Sequence, residues 1–382
     1  MSAFTLALPG RIHFGSGEAR ARAAATLDAL GPRGVLVHGA TGARAGWLID
    51  DLAARGIAPL PLPCPGEPTL PMLEAALALA RDHRPEWVAA VGGGAALDLG
   101  KALAALVPGT GPVIRHLETA GPGAPLEAAP LPFVALPTTA GTGAEATRNA
   151  VIGLVGDGRK VSLRDERMLP RVAIVDPDLT LGCPWPVTLA SGLDALTQLI
   201  EPYVSARANP FTDAIALPAI PRAIAALRAL EAQEDPSARG AMAWASLSGG
   251  IALANAGLGA VHGLAGVIGG LTGAAHGAIC GALLGPVLEA NRAALPSGSA
   301  GGVRIAQVCA IIAGAFGCDA AEAPATLARW ARGAGLPGLA AQGLDPADHG
   351  RVAQAALGAS SMKANPVVLP PRTLEAILEA AA

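Results

Sequence analysis

The sequence predicts an α/β N-terminal domain built on a parallel sheet, followed by an all-helical C-terminal domain. Three observations carry that expectation. Short β-rich runs alternate with helical ones through residue 182, the rhythm of a sheet covered by helices on both faces. Beyond Cys183-Pro184-Trp185-Pro186 only helical patterns remain. The chain has 382 residues, more than one core usually holds, so a division into residues 1–182 and 183–382 is expected.

In order, RGVLVHGATG reads as a strand and turn, AGWLIDDLAARG as a helix, and TLPMLEAALALARDH as another. EWVAAVGGG is a strand running into a glycine turn, and AALDLGKALAAL the helix after it. LPFVALPTT and RVAIVDPDL are two further strands. The C-terminal helices are VTLASGLDALTQLIEPYVS, DAIALPAIPRAIAALRALEA, an apolar run, VRIAQVCAIIAGAFG, APATLARWARGAG and RTLEAILEAA. Pro- and Gly-rich stretches at 119–132 and 294–302 read as loops.

A net charge of −3 and 3% aromatic residues offer neither a basic footprint nor stacking platforms, which argues against a nucleic-acid partner. Five scattered cysteines without a CxxC pair fit a reducing compartment. The opening MSAFTLALPGR lacks the basic start and apolar core of a signal peptide, so a cytoplasmic protein is expected. The run from Gly240 to Leu288 contains no Asp, Glu, Lys or Arg. It is mostly Ala and Gly, holds Asn255 and two histidines, and has no one-sided basic flank; a buried helical core is expected rather than a membrane span.

Four stretches carry chemistry. In VAAVGGGAALDLGKALA a strand meets Gly92, Gly93 and Gly94 before a helix opens at Ala95, an arrangement that brings backbone N–H groups to an anion. The spacing is not GxGxxG, and a tight turn needs glycine in any case. Asp98 and Lys101 are an i, i+3 pair whose plain reading is an ion pair on the helix face. In FVALPTTAGTGAEATRNAVI, Thr138, Thr139 and Thr142 crowd a glycine loop at a strand's C-terminal end, where open α/β sheets bind cofactors. Glu145 reads as a partner for N–H groups at a helix start.

In LASGLDALTQLIEPYVS, Asp194, Gln198 and Glu201 fall on one helix face, with Asp194 among apolar neighbours. HGLAGVIGGLTGAAHG holds His262 and His276, which one straight helix would set about 21 Å apart. Gly269, Gly270 and Gly273 permit a break that folds the helix back. Spacing alone leaves the two as core histidines or metal ligands, the former more often. His13, His38, His83, His116 and His349 have nothing converging on them, and Cys280 reads as a small core residue.

Together these motifs resemble the iron-dependent (group III) alcohol dehydrogenase superfamily. GGGAALDLGKA is similar to its GGGSxxDxAK signature, LPTTAGTGAEAT to its PTTxGTGSE-T loop, and GLDALTQLIEPYVS to its GxDALxHxxExYxS helix. HGLAG…HG followed by GPVLEAN resembles its paired-histidine region ending in P-x-x-x-x-N; RIHFGSGEA and the closing NPVVLPPRTLEAILEAA are similar as well. The resemblance implies a dehydroquinate synthase-like fold with a Rossmann-like N-terminal domain and a nicotinamide cofactor in the cleft. Gly39, Gly92, Gly93, Gly94, Ala95, Asp98, Thr138, Thr139, Thr142 and Lys160 would then be its cofactor-binding residues. It implies Fe²⁺ or Zn²⁺ at Asp194, His262 and His276, and a homodimer.

Two departures stand out. Gln198 occupies the position of the family's third histidine ligand, and Gly266 a position where many members carry a further histidine. A Gln oxygen is a weak neutral ligand, so the expectation divides. Either a metal held by Asp194, His262 and His276 polarises the substrate oxygen, or His262, His276 and Gln198 stabilise it as hydrogen-bond donors. Gly39, with Arg44 close behind, stands where relatives preferring NAD often carry Asp, which leaves NAD and NADP both open. The expected activity is hydride transfer between NAD(P) and a small alcohol, aldehyde or keto acid. A maleylacetate reductase-like enzyme is the second reading, and a catalytically inactive cofactor-binding relative the third.

Overall fold

The computed structural model describes residues 3–382. It forms two compact units, one of Ala7–Thr139 with Gly143–Leu181, the other of residues 3–6 with Ala140–Thr142 and Gly182–Ala382.

The first unit is built on six parallel strands: β1 (Ile12–Phe14), β2 (Gly34–Gly39), β3 (Leu60–Cys64), β4 (Trp87–Gly92), β5 (Phe133–Pro137) and β8 (Val172–Val175). Their order across the sheet is β1-β8-β5-β4-β2-β3. Successive side chains leave on opposite faces, and the central strands β2, β4 and β5 each serve two cores. Val35, Val37, Val88, Ala90 and Phe133 pack with Leu97, Leu103 and Leu73 of α4 (Gly94–Leu106) and α3 (Leu70–His83). Leu36, Trp87, Ala89, Val91 and Leu136 pack with Ala23, Leu27, Leu48 and Leu52 of α1 (Glu18–Asp28) and α2 (Gly46–Ala53). Strands buried on both faces explain the continuous apolar runs in the sequence.

From β2 the chain crosses outward to β3, then returns to place β4 on the other side of β2 and moves on to β5. The C-terminal ends of β2 and β4 are therefore the point where strand order reverses, the crevice in which open α/β sheets take their ligands. His38 pairs with Val91 and Gly92 with Pro137, so three loop starts share this edge.

The alternating pattern had not pointed to β1, β3, α1 or the antiparallel hairpin of β6 (Asn149–Leu154) and β7 (Arg159–Arg164). β3 reads LPLPC, and its two prolines are tolerated because it is an edge strand paired with β2 alone. The hairpin alternates inner and outer residues around a turn at Gly158, whose φ of +58° suits glycine.

The second unit is helical, with no strand among the described residues: α5 (Trp185–Val204), α6 (Pro210–Ala232), α7 (Pro236–Ala256), α8 (Ala260–Thr272), α9 (His276–Ala294), α10 (Ala300–Phe316), α11 (Ala323–Gly333), α12 (His349–Ala356) and α13 (Pro371–Ala381). Prolines in the first turn start α5, α6 and α7, and Asn209 and Asp235 cap the latter two through their side chains. The uncharged run becomes most of α7, all of α8 and the greater part of α9. Leu247, Ala252, Val261, Leu264, Ile268, Ile279 and Leu283 from it are all buried. No single helix among the described residues is long and apolar enough to cross a membrane; α7 and α8 would do so only as a pair, and they meet at 101°.

Candidate metal centre and cofactor turn

The metal candidates converge because two glycines let three helices meet. α8 stops at Gly273, whose φ of +69° is the left-handed conformation that ends helices, and α9 begins at His276. The chain folds back, and the rings of His262 and His276 lie 5.3 Å apart. At Gly277 a Cβ would come within 2.4 Å of the Ala190 carbonyl oxygen and 3.3 Å of the Asp194 Cβ, so only glycine lets the start of α9 rest on α5 at this depth. His262 before this turn and His276 after it thus face the same aspartate; Gly269 and Gly270 stay within α8, so of the three glycines only Gly273 makes the break.

Asp194, Gln198 and Glu201 line one face of α5, all buried. Glu201 accepts from His262 Nδ1 at 2.7 Å and from the backbone N–H of Val261 at 2.7 Å. That bond places a proton on Nδ1 and turns Nε2 toward Asp194, whose Oδ1 is 3.2 Å away. Asp194 Oδ1, His262 Nε2 and Gln198 Oε1 make no well-formed hydrogen bond although all three are buried. Buried polar atoms left in this state are costly unless a further group satisfies them.

The motif ending in Asn291 and the closing motif beginning at Asn365 meet as well. Asn365 donates to Asn291 Oδ1 at 2.8 Å and accepts from the Ala260 N–H at 3.1 Å. Together with Glu201 they fix the first turn of α8, which carries His262.

A fourth donor atom lies at this centre. Cys280 follows His276 by four residues on α9 and so shares its face; its Sγ is 3.6 Å from His276 Nε2. Donor atoms of Asp194, His262, His276 and Cys280 all lie within 4.8 Å of one another. Cys280 is buried in the helical core, as expected, and its sulfur lies among the candidate donor atoms as well. The i, i+4 spacing from a candidate ligand was the signal, and it was readable in the sequence.

The electrostatics of the cluster favour positive charge. Burial works against the His262 imidazolium, but Cys280, Asp194 and Glu201 outweigh it and hold its pKa well above the usual histidine value. Burial likewise opposes the Asp194 carboxylate, yet the neighbouring His262, His276 and Gln198 keep its pKa below normal. The Cys280 thiol is pushed up by burial and pulled down further by the two histidines, for a net lowering. His276 is half-buried where the other three are buried, which gives the centre its open side. At Gly266, one turn beyond His262, an added Cβ would meet nothing within 4 Å.

In the first unit, α4 opens at Gly94 directly after β4, and no side chain caps it. Gly93, Gly94 and Ala95 are half-exposed, so the uncapped N–H groups and the positive end of the helix dipole face outward, an anion cradle. A Cβ on Gly92 would sit 2.6 Å from the Ala96 Cβ, so the turn itself demands glycine. Thr138 N donates to the Gly92 oxygen at 2.9 Å, and the Thr139 hydroxyl lies beside Gly93. Gly39 stands next to Gly92 at the strand-order reversal, with open space where a side chain would be.

Not every predicted cofactor residue reaches this cradle freely. Asp98 accepts from the Val151 N–H at 3.0 Å and lies 3.4 Å from Lys101 Nζ, tying α4 to the hairpin. Lys101 is fully buried and also donates to Thr147 at 2.7 Å. Lys160 is ion-paired with Glu67. Arg44 donates to the carbonyls of Leu179 and Leu181 at 2.7 and 3.2 Å. Thr142 falls in the helical unit, unlike Thr138 and Thr139. Glu145 leaves its Oε1 unpartnered rather than satisfying a row of N–H groups, and burial lifts its pKa to about 7.

The chain thus combines an α/β unit carrying an uncapped glycine turn at its strand-order reversal with a helical unit carrying a histidine–carboxylate cluster that could hold a metal. The chain matches the pattern of the Iron-containing alcohol dehydrogenase family over residues 9–177 and of the Fe-containing alcohol dehydrogenase family C-terminal region over 188–382. It belongs to the iron-containing alcohol dehydrogenase family. It is 38% identical over 247 residues to a probable alcohol dehydrogenase, EutG, of Escherichia coli strain K12, covering 64% of this chain and 62% of that protein. It is 37% identical over 206 residues to the 4-hydroxybutyrate dehydrogenase of Cupriavidus necator, covering 54% of this chain and 53% of that one. These alignments span between half and two thirds of the relatives' lengths. The crystal structure of a 1,3-propanediol oxidoreductase superposes with a TM-score of 0.88 at 29% identity over 100% of both chains.

Proposed function

We propose that this protein is an NAD(P)-dependent oxidoreductase that interconverts a small alcohol and its carbonyl compound, with a divalent metal bound by Asp194, His262 and His276. The observation that carries it is the set of buried atoms without partners, Asp194 Oδ1 and His262 Nε2, brought together with His276 around one point. Two acceptors facing each other at 3.2 Å repel unless a cation or a proton lies between them. A resident metal would supply that charge and polarise the substrate oxygen as a Lewis acid.

The protein's own residues set the geometry. Glu201, hydrogen-bonded to Nδ1, turns Nε2 of His262 into the centre, an outer partner of the kind that orients metal-binding histidines. Gln198, one turn along the same helix face, helps to keep the Asp194 pKa low. The half-exposed side at His276 and the open space at Gly266 leave room for a small substrate. In the first unit, Gly93, Gly94 and Ala95 would receive the cofactor pyrophosphate, with Thr138 and Thr139 beside it. A bound nicotinamide would supply the hydride chemistry.

The test is elemental analysis of protein purified anaerobically and offered Fe²⁺ or Zn²⁺, together with NADH and NADPH oxidation over a panel of aldehydes and keto acids. About one metal per chain with turnover supports the reading. Cofactor binding without turnover on any member would instead favour the inactive relative.

A further inference from the structure

We infer that Cys280 is a ligand of the metal centre, which makes the site an Asp–His–His–Cys set in which a thiolate takes the part that Gln198 cannot. The inference rests on the metal reading above and concerns this chain's own departure at position 198. Cys280 is buried, lies 3.6 Å from His276 Nε2, and its sulfur belongs to the group of four donor atoms within 4.8 Å. A cysteine beside one histidine would show little. Here it joins two further donors, Asp194 Oδ1 and His262 Nε2, both more than nine-tenths buried, lacking partners, and aimed at the same point.

The donor set decides the metal. An uncharged amide oxygen at Gln198 adds little affinity, whereas a thiolate is soft, anionic and polarisable. With Asp194 and Cys280 both ionised, two negative charges balance a divalent ion and the centre is neutral. Thiolate with imidazole and one carboxylate in a four-coordinate site is characteristic zinc chemistry, and softer ligands favour Zn²⁺ over Fe²⁺ as the resident ion. Gln198, released from ligation, keeps its amide for Asp194.

X-ray absorption on the zinc-loaded full chain tests this, with Cys280→Ser and Cys280→Ala measured alongside. The expected result is one zinc–sulfur path near about 2.3 Å in the wild type. In both variants that path disappears while zinc still binds, roughly 10- to 100-fold more weakly. The four other free cysteines make the variants the necessary control, because a sulfur path that survives in them comes from elsewhere and overturns the proposal. Stoichiometric zinc with only nitrogen and oxygen neighbours in the wild type would overturn the role of Cys280 and leave the Asp194–His262–His276 centre standing. A chain that takes up no zinc, iron or cobalt overturns both.

Discussion

The glycine turn at Gly92–Ala95 and the centre around Asp194 are both built for charge, and by opposite means. The turn uses backbone: an uncapped helix end presents N–H groups, and the side chains are absent so that a ligand can approach. The centre uses side chains drawn from three separate helices, with His262 oriented by the buried Glu201. A backbone site tolerates most changes that keep the chain's path. A side-chain site fails when one atom is lost, because its remaining buried charges are then uncompensated.

Substitutions can break that contrast at either end. The largest effect is expected at Asp194→Ala: metal content falls to background and the turnover number by at least ~1,000-fold, in the range for loss of a main electrostatic group, while NAD(P)H affinity measured by fluorescence stays unchanged. If metal content held, the centre would not depend on its aspartate.

Glu145 offers a control, a buried carboxylate without a site. Its folded pKa of about 7 lies above the ordinary 4.5. Its protonated form is favoured by folding, so stability from this group is complete below pH 4.5 and declines as pH rises through 7. Glu145→Gln should therefore stabilise the protein at pH 8 by up to about 3 kcal/mol and have no effect near pH 4. Denaturant midpoints at the two pH values check both halves, and equal effects at both would contradict the burial argument.

Glu201→Gln sharpens the role of orientation. Without the carboxylate on Nδ1, metal affinity should drop ~10- to 100-fold, read by competition with a chelator, and far-ultraviolet circular dichroism should be unaltered. The smallest effect is expected in the turn region. Gly39→Asp places a carboxylate in open space beside Gly92, and should lower affinity for NADPH relative to NADH by ~10-fold, about 1.4 kcal/mol. An unchanged ratio would mean that position 39 does not meet the ribose.

Much of the architecture is legible without coordinates. β2, β4, β5 and β8, buried on both faces, leave continuous apolar runs, and the helices after them end at recognisable turn residues. β3 escapes notice because its prolines are permitted only at an edge, and edge status is a tertiary fact. α1 escapes because alanine and arginine alternate without a strong apolar stripe. Within the centre, Asp194, Gln198 and Glu201 could be placed on one face from spacing alone.

What the sequence by itself determined is therefore local: the alternation that builds the sheet, the glycine turn at the start of α4, and the facing residues of α5. Tertiary structure alone decided that α8 and α9 fold back at Gly273, that Gly277 lets α9 settle on α5, and that the face shared by His276 and Cys280 meets Asp194. The physical reason is range. Periodicity encodes which face a side chain takes within its own helix, whereas a shared centre depends on how close two helices approach, and that is set by the one atom a glycine lacks.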